Sequence, residues 1–386
     1  MIEPSEHRPT VAIVNLEAIQ HNVHAFLKRM SPSQQLYVAV KANGYGHGIT
    51  HVAQAALEAG ASGLLVATVD EGITLRKNGV HAPILVLGLT DPRGIAEILH
   101  YQLMITVCSP DFFQRAQEQL AQTDKLDLLT THRLTVHLAL DTGMGRIGLT
   151  TVAEVEAFKD SVSAYDWVDW QGAFTHFSTA GGGPEEHVHA QWAKWQALTA
   201  VLPDSVTVRH YANSAMAMWY PQQPASDIVR LGIGLYGIDP KDRLDVPRAE
   251  ALQPALQLLS EIVHVKQVPK GTKISYGATY EAQADEWIAT IPIGYADGWF
   301  RHYRDIPVLV DGHACPVAGT INMDQMMIRL PKYYPVGTTV TLIGRSGHLD
   351  NHVSALAEQL NTISYELLTS ISTRVPRLYV KGESLC

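Results

Sequence analysis

Lys41 stands at the end of an apolar run and is followed by a segment with three glycines in five residues. The run is Leu36–Val40, and the next seven residues read Ala-Asn-Gly-Tyr-Gly-His-Gly. An amine at the end of a buried strand loses proton affinity through desolvation and becomes a nucleophile for Schiff-base chemistry. Glycines let a backbone approach a ligand closely, so the pattern favours a carbonyl cofactor such as pyridoxal phosphate. The alternative is a lysine that extends from a strand end into water.

Arg230 lies inside a second apolar run, Ile228–Gly237, which is rich in glycine towards its end. A charge is costly there unless it is paired or reaches a solvated cavity, so a structural ion pair is the alternative to a functional role. In barrels of parallel strands the loop after strand eight commonly binds phosphate, and Gly232 and Ile233 are placed to do so. The loop Asp141–Arg146 follows a further apolar run and ends in an arginine. By itself it is weak evidence for a binding site, since such loops are common turns.

Metal and nucleotide sites are not indicated. The chain has 18 histidines but no His-Glu-x-x-His, and His187 and His189 are interpreted as solvated or capping residues. Gly181–Gly183 does not form the Gly-x-Gly-x-x-Gly pattern of a dinucleotide site. The cysteines are Cys108, Cys315 and Cys386, an odd number without Cys-x-x-Cys spacing, which predicts reduced thiols.

The elements that must position these residues follow a strand-then-helix rhythm over the first 240 residues. Helical periodicity marks Leu16–Met30, His51–Gly60 and Trp192–Leu202. The predicted strands are Leu36–Val40, Gly63–Ala67, Ile84–Gly88, Leu103–Val107, Leu134–Leu140, Val168–Phe174, Val206–His210 and Ile228–Gly237. Eight such units predict an α/β fold with a (β/α)8 TIM-type barrel, and a doubly wound sheet is the alternative.

A mainly-β domain is predicted after about residue 245, because strand-like runs there are separated by Gly, Pro and Asp turns. These runs are Leu258–Val268, Trp287–Ile293, Pro307–Val310, Met326–Leu330 and Thr338–Ile343, with one helix at Ser354–Asn361. The predicted domains are a barrel over residues 14–245 and a C-terminal β domain over 246–386. The pattern leaves open which domain the strand-like Thr10–Val14 joins.

Composition excludes several classes of protein. The 386 residues are 46% hydrophobic and 17% charged, which is ordinary globular usage and not that of a disordered chain. The net charge of −9 argues against nucleic acid as a partner. The start of the sequence is polar and lacks the apolar stretch of a signal peptide. The sequence also has no run of 18 consecutive apolar residues, which a membrane-spanning helix would need. Both features predict a cytoplasmic protein with no membrane partner.

Taken together, motifs from about residue 10 to 380 resemble those of bacterial alanine racemases and come in the same order. They are Ala39–Gly48, Asp141–Arg146, Thr175–Phe177, Ala212–Ala215, Arg230 with its glycine loop, Ser275–Gly277, Pro292–Gly298 and Arg374–Arg377. The resemblance implies a fold-type III pyridoxal phosphate enzyme whose C-terminal domain includes the first strand, about residues 1–13. It also implies a head-to-tail homodimer with active sites shared between subunits.

The resemblance further implies roles for individual residues. Lys41 would carry the cofactor as a Schiff base and act as one of two acid/base groups, while Tyr276 of the partner subunit would act on the other face, that of L-alanine. His176 would assist the Tyr276 phenol, and Arg230 would face the pyridine nitrogen and keep it unprotonated. Further cofactor-binding positions are Tyr45, Ser214, Gly232, Ile233 and Tyr365; positions near the substrate are Arg146, Met323 and Tyr295.

Three departures from the family pattern concern the surroundings of these groups. Ala139 stands where the family often has a carbamylated lysine that holds the arginine of the Asp141–Arg146 loop, so a bound anion or water is considered as the substitute. Leu231 replaces a usual proline and Asn322 a common cysteine. None of the three removes a catalytic group.

The implied function is racemisation of alanine, which supplies D-alanine for peptidoglycan. A racemase of serine or another amino acid is the nearest competing function, and alanine is preferred mainly because Tyr365 would crowd the side-chain pocket. A fold-type III amino-acid decarboxylase and a pyridoxal phosphate carrier are less favoured. Arg230 argues against the decarboxylase, which would place an acid at the pyridine nitrogen, and the C-terminal domain with Tyr276 argues against the carrier.

Overall fold

The computed structural model describes residues 4–220, 226–241 and 252–382, and its N-terminal part is a barrel of eight parallel strands. The barrel strands are β2 (Gln35–Ala39), β3 (Gly63–Val66), β4 (Ile84–Leu89), β5 (Met104–Val107), β6 (Leu134–Ala139), β7 (Val168–Phe174), β8 (Val208–His210) and β9 (Ile228–Leu231). Each strand from β2 to β7 pairs with the next, and β2 also pairs with β9. A β-bridge between Asn213 and Arg230 closes the ring between β8 and β9. Beside it, the Arg230 N–H donates to the Ala212 carbonyl at 2.8 Å.

Helices follow the strands and cover the barrel. They are α1 (Leu16–Leu27), α2 (Lys41–Tyr45), α3 (Ile49–Glu58), α4 (Val69–Lys77), α5 (Ile95–His100), α6 (Asp111–Gln122), α7 (Leu128–Thr131), α8 (Val152–Val162), α9 (Glu185–Thr199) and α10 (Ser214–Trp219). Local sequence fixes several starts: Asn15 caps α1, and the pair Thr68 and Glu71 forms a capping box on α4. Since most strand residues are buried, both faces of the sheet are covered.

The prediction of a (β/α)8 barrel is confirmed, with one shortened strand. The run Ile228–Gly237 forms a strand only to Leu231, and a short 3-10 helix, Ile233–Tyr236, follows. Gly232 separates the two elements with φ −99° and ψ −109°, which turns the chain across the barrel mouth. The apolar run extends beyond the end of the strand because the residues of this 3-10 helix are buried as well.

The C-terminal part is mainly β. Its strands are β10 (Leu256–Glu261), β11 (His264–Val268), β12 (Lys273–Ile274), β13 (Tyr280–Glu281), β14 (Glu286–Ile291), β15 (Val308–Val310), β16 (His313–Cys315), β17 (Met326–Leu330), β18 (Thr339–Ser346), β19 (Leu349–Asn351) and β20 (Arg377–Val380). The strand before α1 is β1 (Val11–Asn15). One sheet has the order β16-β15-β18-β10-β1-β20, with β19 beside β18; a second has the order β11-β14-β17, and β12 pairs with β13. Strand β1 (Val11–Asn15) thus lies between β10 and β20, in the C-terminal sheet.

Two predictions for this domain were wrong. The run Leu258–Val268 is two strands in different sheets, because the chain changes partners at Ile262, whose N–H donates to the Thr338 carbonyl at 3.0 Å. The domain also has two helices, α11 (Val353–Gln359) and α12 (Ser364–Ser370), where one was predicted. The predicted boundary between residues 245 and 246 and the thiol of Cys386 lie outside the described residues.

The two parts pack closely along the segment after Lys41. The Arg377 Nε donates to the Gly46 carbonyl at 3.0 Å, and the rings of Tyr45 and Tyr365 lie 5.8 Å apart. Helix α12 is therefore held beside the barrel mouth. In the described parts of the chain, each helix is too short or too polar to cross a lipid bilayer.

A candidate active site at the mouth of the barrel

A cavity of about 690 Å³ opens at the carboxyl ends of the barrel strands. Nine of the residues singled out in the sequence line it: Lys41, Tyr45, Arg146, His176, Ser214, Arg230, Gly232, Ile233 and Tyr365. They come from the ends of five barrel strands, or the segments that follow them, and from α12. Parallel strands bring such positions to one face of a barrel, which is where barrel enzymes place their chemistry.

Lys41 begins an unusual backbone segment. Ala42, Asn43, Gly44 and Tyr45 all have φ between 50° and 61°, which is left-handed backbone that non-glycine residues rarely adopt. Glu71 stabilises the start of this segment, since its carboxylate accepts the N–H groups of Ala42 and Ala67, each at 2.7 Å. The turn is thus held in place by the capping residue of α4.

The glycines of this segment do not serve the purpose that the sequence suggested. A Cβ on Gly46 would lie 2.1 Å from the Leu368 carbonyl oxygen, and one on Gly48 would lie 1.9 Å from the Tyr379 hydroxyl. Both glycines therefore make room for the C-terminal domain rather than for a ligand, and the sequence interpretation was wrong for these two positions. The glycines fix how the second domain docks beside Lys41.

The Lys41 amine is held in a less protonated state than a free lysine. Burial lowers its pKa, the Arg146 guanidinium lowers it further, and the Glu71 carboxylate partly opposes both. A lower pKa increases the fraction of neutral amine at neutral pH, and the neutral amine is the form that attacks a carbonyl carbon.

Arg230 is a buried cation whose hydrogen-bond partners are neutral. Its Nη1 contacts His210 Nδ1 at 3.0 Å, and its Nη2 donates to the Thr175 carbonyl at 2.7 Å. Since arginine only donates, His210 Nδ1 accepts, and its Nε2–H donates to His137 Nδ1 at 2.8 Å. The His137 Nε2–H then donates to Gln171 Oε1 at 3.2 Å, so each imidazole in the chain has one defined tautomer.

These charges and burial keep the neighbouring histidines neutral. Burial, with Arg230 close by, lowers the pKa of His137 to about 4 and that of His210 well below its ordinary value. His176 has a pKa of about 3, because of burial and the positive charges of Arg230, Arg146 and Lys41. Burial, and then Arg146, lowers the pKa of Arg230 to about 9, so it stays charged at neutral pH.

A small polar cradle lies at Gly232, two residues after Arg230 in the chain. The Gly232 N–H donates to the Ser214 hydroxyl at 2.9 Å, and a Cβ on Gly232 would lie 3.2 Å from the Tyr45 hydroxyl. The Tyr45 ring stacks on Tyr236 with centroids 4.7 Å apart, and burial raises the pKa of Tyr45 to about 12. The cradle therefore presents neutral hydroxyl and amide groups around a position where only glycine leaves room.

The remaining three predicted residues lie elsewhere. Tyr276, Tyr295 and Met323 belong to the C-terminal domain and are outside the lining of the cavity among the described residues. Tyr276 is 75% exposed and Met323 is 53% exposed. Two backbone hydrogen bonds hold the segments of Tyr295 and Met323 together. The Tyr295 N–H donates to the Asn322 carbonyl at 3.1 Å, and the Ala296 N–H donates to the Met323 carbonyl at 3.0 Å.

Sequence reasoning did not identify Glu71 or Gln191, which both hold loops of this site. Glu71 had a visible signal, the Thr68-x-x-Glu71 pattern of a capping box at the start of a helix. Gln191 had none, because a glutamine on an amphipathic helix is ordinarily a surface residue. Its buried position depends on how α9 packs over the strand ends.

Comparison with known proteins gives full-length matches. The family model for the alanine racemase N-terminal domain matches residues 14–240, and that for the alanine racemase C-terminal domain matches 255–379. The chain is 43% identical to the alanine racemase of Levilactobacillus brevis, over 97% of this chain and 98% of that protein.

Solved structures agree over nearly the whole chain. The alanine racemase from E. faecalis has a TM-score of 0.93 at 41% identity, covering 98% of this chain and 100% of that one. A histidine racemase from Leuconostoc mesenteroides subsp. sake has a TM-score of 0.90 at 35% identity, with the same coverage.

Proposed function

Since this chain belongs to the alanine racemase family, a family of isomerases, we propose that it interconverts L- and D-alanine with pyridoxal phosphate as cofactor. The observation that carries the proposal is the cavity that brings Lys41, Arg230 and the Gly232 cradle together at one end of the barrel. The proposal includes a cytoplasmic enzyme that supplies D-alanine for peptidoglycan.

The residues of the cavity fit pyridoxal phosphate. The cradle of Tyr45, Ser214 and Gly232 offers hydroxyl and amide groups and a position that a Cβ would fill, as a phosphate requires. Ile233 and Tyr365 are the other two residues assigned to binding the cofactor. The Lys41 amine, whose pKa is lowered by burial, suits the aldehyde, and the donor-only Arg230 suits an unprotonated ring nitrogen. When bound, the cofactor supplies an electron-withdrawing ring that acidifies the α-hydrogen of an attached amino acid.

Two proton-transferring groups on opposite faces are needed, because racemisation removes a proton from one side of Cα and returns one to the other. Lys41 serves one face in this proposal. Tyr276 of a second copy serves the other, since the exposed position of this phenol leaves it free to enter a neighbouring cavity. Arg146, Met323 and Tyr295 are assigned to the substrate, with Arg146 binding its carboxylate.

His176 assists through a hydrogen bond and not through a positive charge. Its pKa of about 3 makes the imidazole neutral at physiological pH. Its Nδ1 lies 3.4 Å from Arg230 Nη2, a group that only donates, so the imidazole proton is placed on Nε2. That N–H is the donor proposed to stabilise the Tyr276 phenolate.

The nearest competing function is racemisation of another amino acid. A histidine racemase shares 35% identity and the whole fold with this chain, so the fold alone does not fix the side chain of the substrate. Relative turnover of L-alanine, L-serine and L-histidine separates these activities. A decarboxylase is disfavoured because it would place an acid at the pyridine nitrogen of the cofactor. Here the group proposed to face that nitrogen is the Arg230 guanidinium, and its own contacts are carbonyl oxygens and imidazoles.

The test follows both racemisation and exchange of the α-hydrogen in D2O with pyridoxal phosphate present. The wild-type protein should form D-alanine from L-alanine and exchange both isomers. Lys41→Ala should do neither. Tyr276→Phe should lower racemisation by about 10²–10⁴-fold, yet retain exchange of D-alanine through Lys41 and lose that of L-alanine.

Tyr333→Phe is the matched control, because Tyr333 is another exposed tyrosine of the same domain. It should behave as the wild type does. Formation of no D-alanine by the wild type would refute the proposed reaction. Equal loss of exchange from both isomers in Tyr276→Phe would contradict the assignment of the two faces.

A further inference from the structure

Gln191, on α9, is completely buried, and its amide is fully hydrogen-bonded. Its Oε1 accepts the N–H and the hydroxyl of Ser178, at 3.0 and 3.1 Å. Its Nε2 donates to the His176 carbonyl at 3.0 Å and to the Thr142 hydroxyl at 3.2 Å. One side chain therefore holds the loop after β6 and the loop after β7 at the same time.

A second contact joins the same two loops. The hydroxyls of Thr142 and Thr175 lie 2.7 Å apart, and both residues are buried. Hydrogen bonds removed from water resist competition from solvent, and the loss of one partner leaves the other unsatisfied. The distance between these loops is consequently fixed by a small buried network centred on Gln191.

Helix α9 contacts the Asp141–Arg146 loop once more at Gly143. The His187 Nε2 contacts the Gly143 carbonyl at 3.0 Å, and His187 precedes Gln191 by one helical turn on the same face. A Cβ on Gly143 would lie 3.1 Å from Gln191 Cγ and 3.0 Å from His187 Cε1. The loop thus lies directly against this face of α9.

Arg146 is at the end of this loop and is itself exposed to the cavity. It is close enough to Lys41, His176 and Arg230 to lower the pKa of all three. The buried Ala139, where a lysine often stands in the family, has only a methyl group to offer. The position of Arg146 must therefore be set through the backbone of its loop.

We propose that Gln191 is a positioning residue that holds the loop of Arg146 at a fixed distance from His176 and so sets the affinity of the site for the substrate carboxylate. This inference rests on the proposed function, because that function assigns the carboxylate to Arg146. A bound anion or water in place of the family lysine is then not required.

The test compares Gln191→Met with Gln196→Met, the same change at an exposed position of α9. Steady-state kinetics give KM and kcat for alanine, and acetate, used as a carboxylate probe, gives a dissociation constant by titration of the holoenzyme. Gln191→Met should raise both the KM and the acetate dissociation constant by about tenfold, a change of about 1.4 kcal/mol. The affinity for pyridoxal phosphate should match that of Gln196→Met, whereas the melting temperature should be lower, because the change leaves the buried partners of Gln191 unsatisfied.

Thr142→Val keeps the side-chain shape and removes both hydroxyl links to the Arg146 loop, the one from Gln191 and the one from Thr175. It should therefore repeat the effect if Gln191→Met folds poorly. Adding Arg146→Lys to Gln191→Met should raise KM no further than Arg146→Lys alone. Unchanged KM and acetate affinity in both Gln191→Met and Thr142→Val, or effects that multiply with Arg146→Lys, would overturn the proposal. A wild-type protein that binds acetate but racemises no alanine would refute only the proposed function.

Discussion

The barrel and the C-terminal domain each bury one strong charge, and they surround it differently. In the barrel, Arg230 is surrounded by imidazoles and carbonyl oxygens. In the C-terminal domain, the carboxylate of Asp297 lies between Arg8 and Arg374, with contacts of 3.0 and 3.2 Å. The ion pairs neutralise the charge of Asp297, whereas the charge of Arg230 is not neutralised and can act on a molecule that enters the cavity.

The two parts also differ in where they keep the residues assigned to chemistry. The barrel encloses Lys41 and Arg230 within its mouth, while the C-terminal domain presents Tyr276 and Met323 to solvent. In the proposed dimer, the exposed phenol and thioether of one chain would complete the barrel cavity of its neighbour.

The strongest challenge to this comparison is complementation between two inactive variants. In a dimer with shared sites, a mixed pair of Lys41→Ala and Tyr276→Phe subunits has one site with both groups intact. After subunit exchange at equal ratio, activity should rise from near zero to about a quarter of the wild-type rate. Failure to recover activity, with mixed dimers verified by mass spectrometry, would show that the two groups act within one chain or not at all.

A smaller effect tests the ion pair of the C-terminal domain. Asp297→Asn leaves Arg8 and Arg374 without their buried partner and should reduce the free energy of unfolding by about 3–5 kcal/mol. The matched change Asp324→Asn removes an exposed partner of Arg374 and should cost no more than about 1 kcal/mol. Urea unfolding measures both. Similar values for the two variants would remove the distinction between a buried and a surface carboxylate.

The smallest effect concerns acid, and it should originate in the barrel. Burial lowers the pKa of His47 and His137 to about 4 and that of His210 well below its ordinary value. Below pH 6.5 the unfolded chain binds protons that the folded barrel does not, so the stability present above pH 6.5 is lost as the pH falls towards 4. His176, with a pKa of about 3, adds to this effect, and between pH 7 and 6 the four histidines together should cost about 2.5–3 kcal/mol.

Urea unfolding of the holoenzyme at both pH values measures this loss. His47→Gln should reduce the pH dependence by about a quarter, whereas His348→Gln, at an exposed position, should leave it unchanged. If neither variant alters the slope, the acid sensitivity does not come from the buried histidines of the barrel.

Much of the barrel was predictable because its information is local. Apolar runs of strand length alternate with helical periodicity, and strands such as Val168–Phe174 have the predicted bounds. The C-terminal domain was less predictable, since the continuous run Leu258–Val268 contributes strands to two sheets. A β-strand finds its partners at long range, so periodicity indicates a strand but not where its pairing ends.

The same distinction applies to the site. Lys41 and Arg230 could be identified from sequence because a charge within an apolar run is costly and so stands out. Gln191 could not, because it is an ordinary polar residue of a helix until the strand-end loops lie against it. Glu71 carries the signal of a capping box, but that signal does not indicate that its carboxylate also accepts the Ala42 N–H.

The amino-acid sequence was enough to indicate two kinds of domain, the lysine and arginine that belong at a strand end, and the family to which the motifs point. The folded chain was needed to show which strands flank β1, that Gly46 and Gly48 admit the second domain, and that His176 is neutral. Residue types and spacing fix local conformation, whereas burial and the distance between charges arise when separate loops meet in one place.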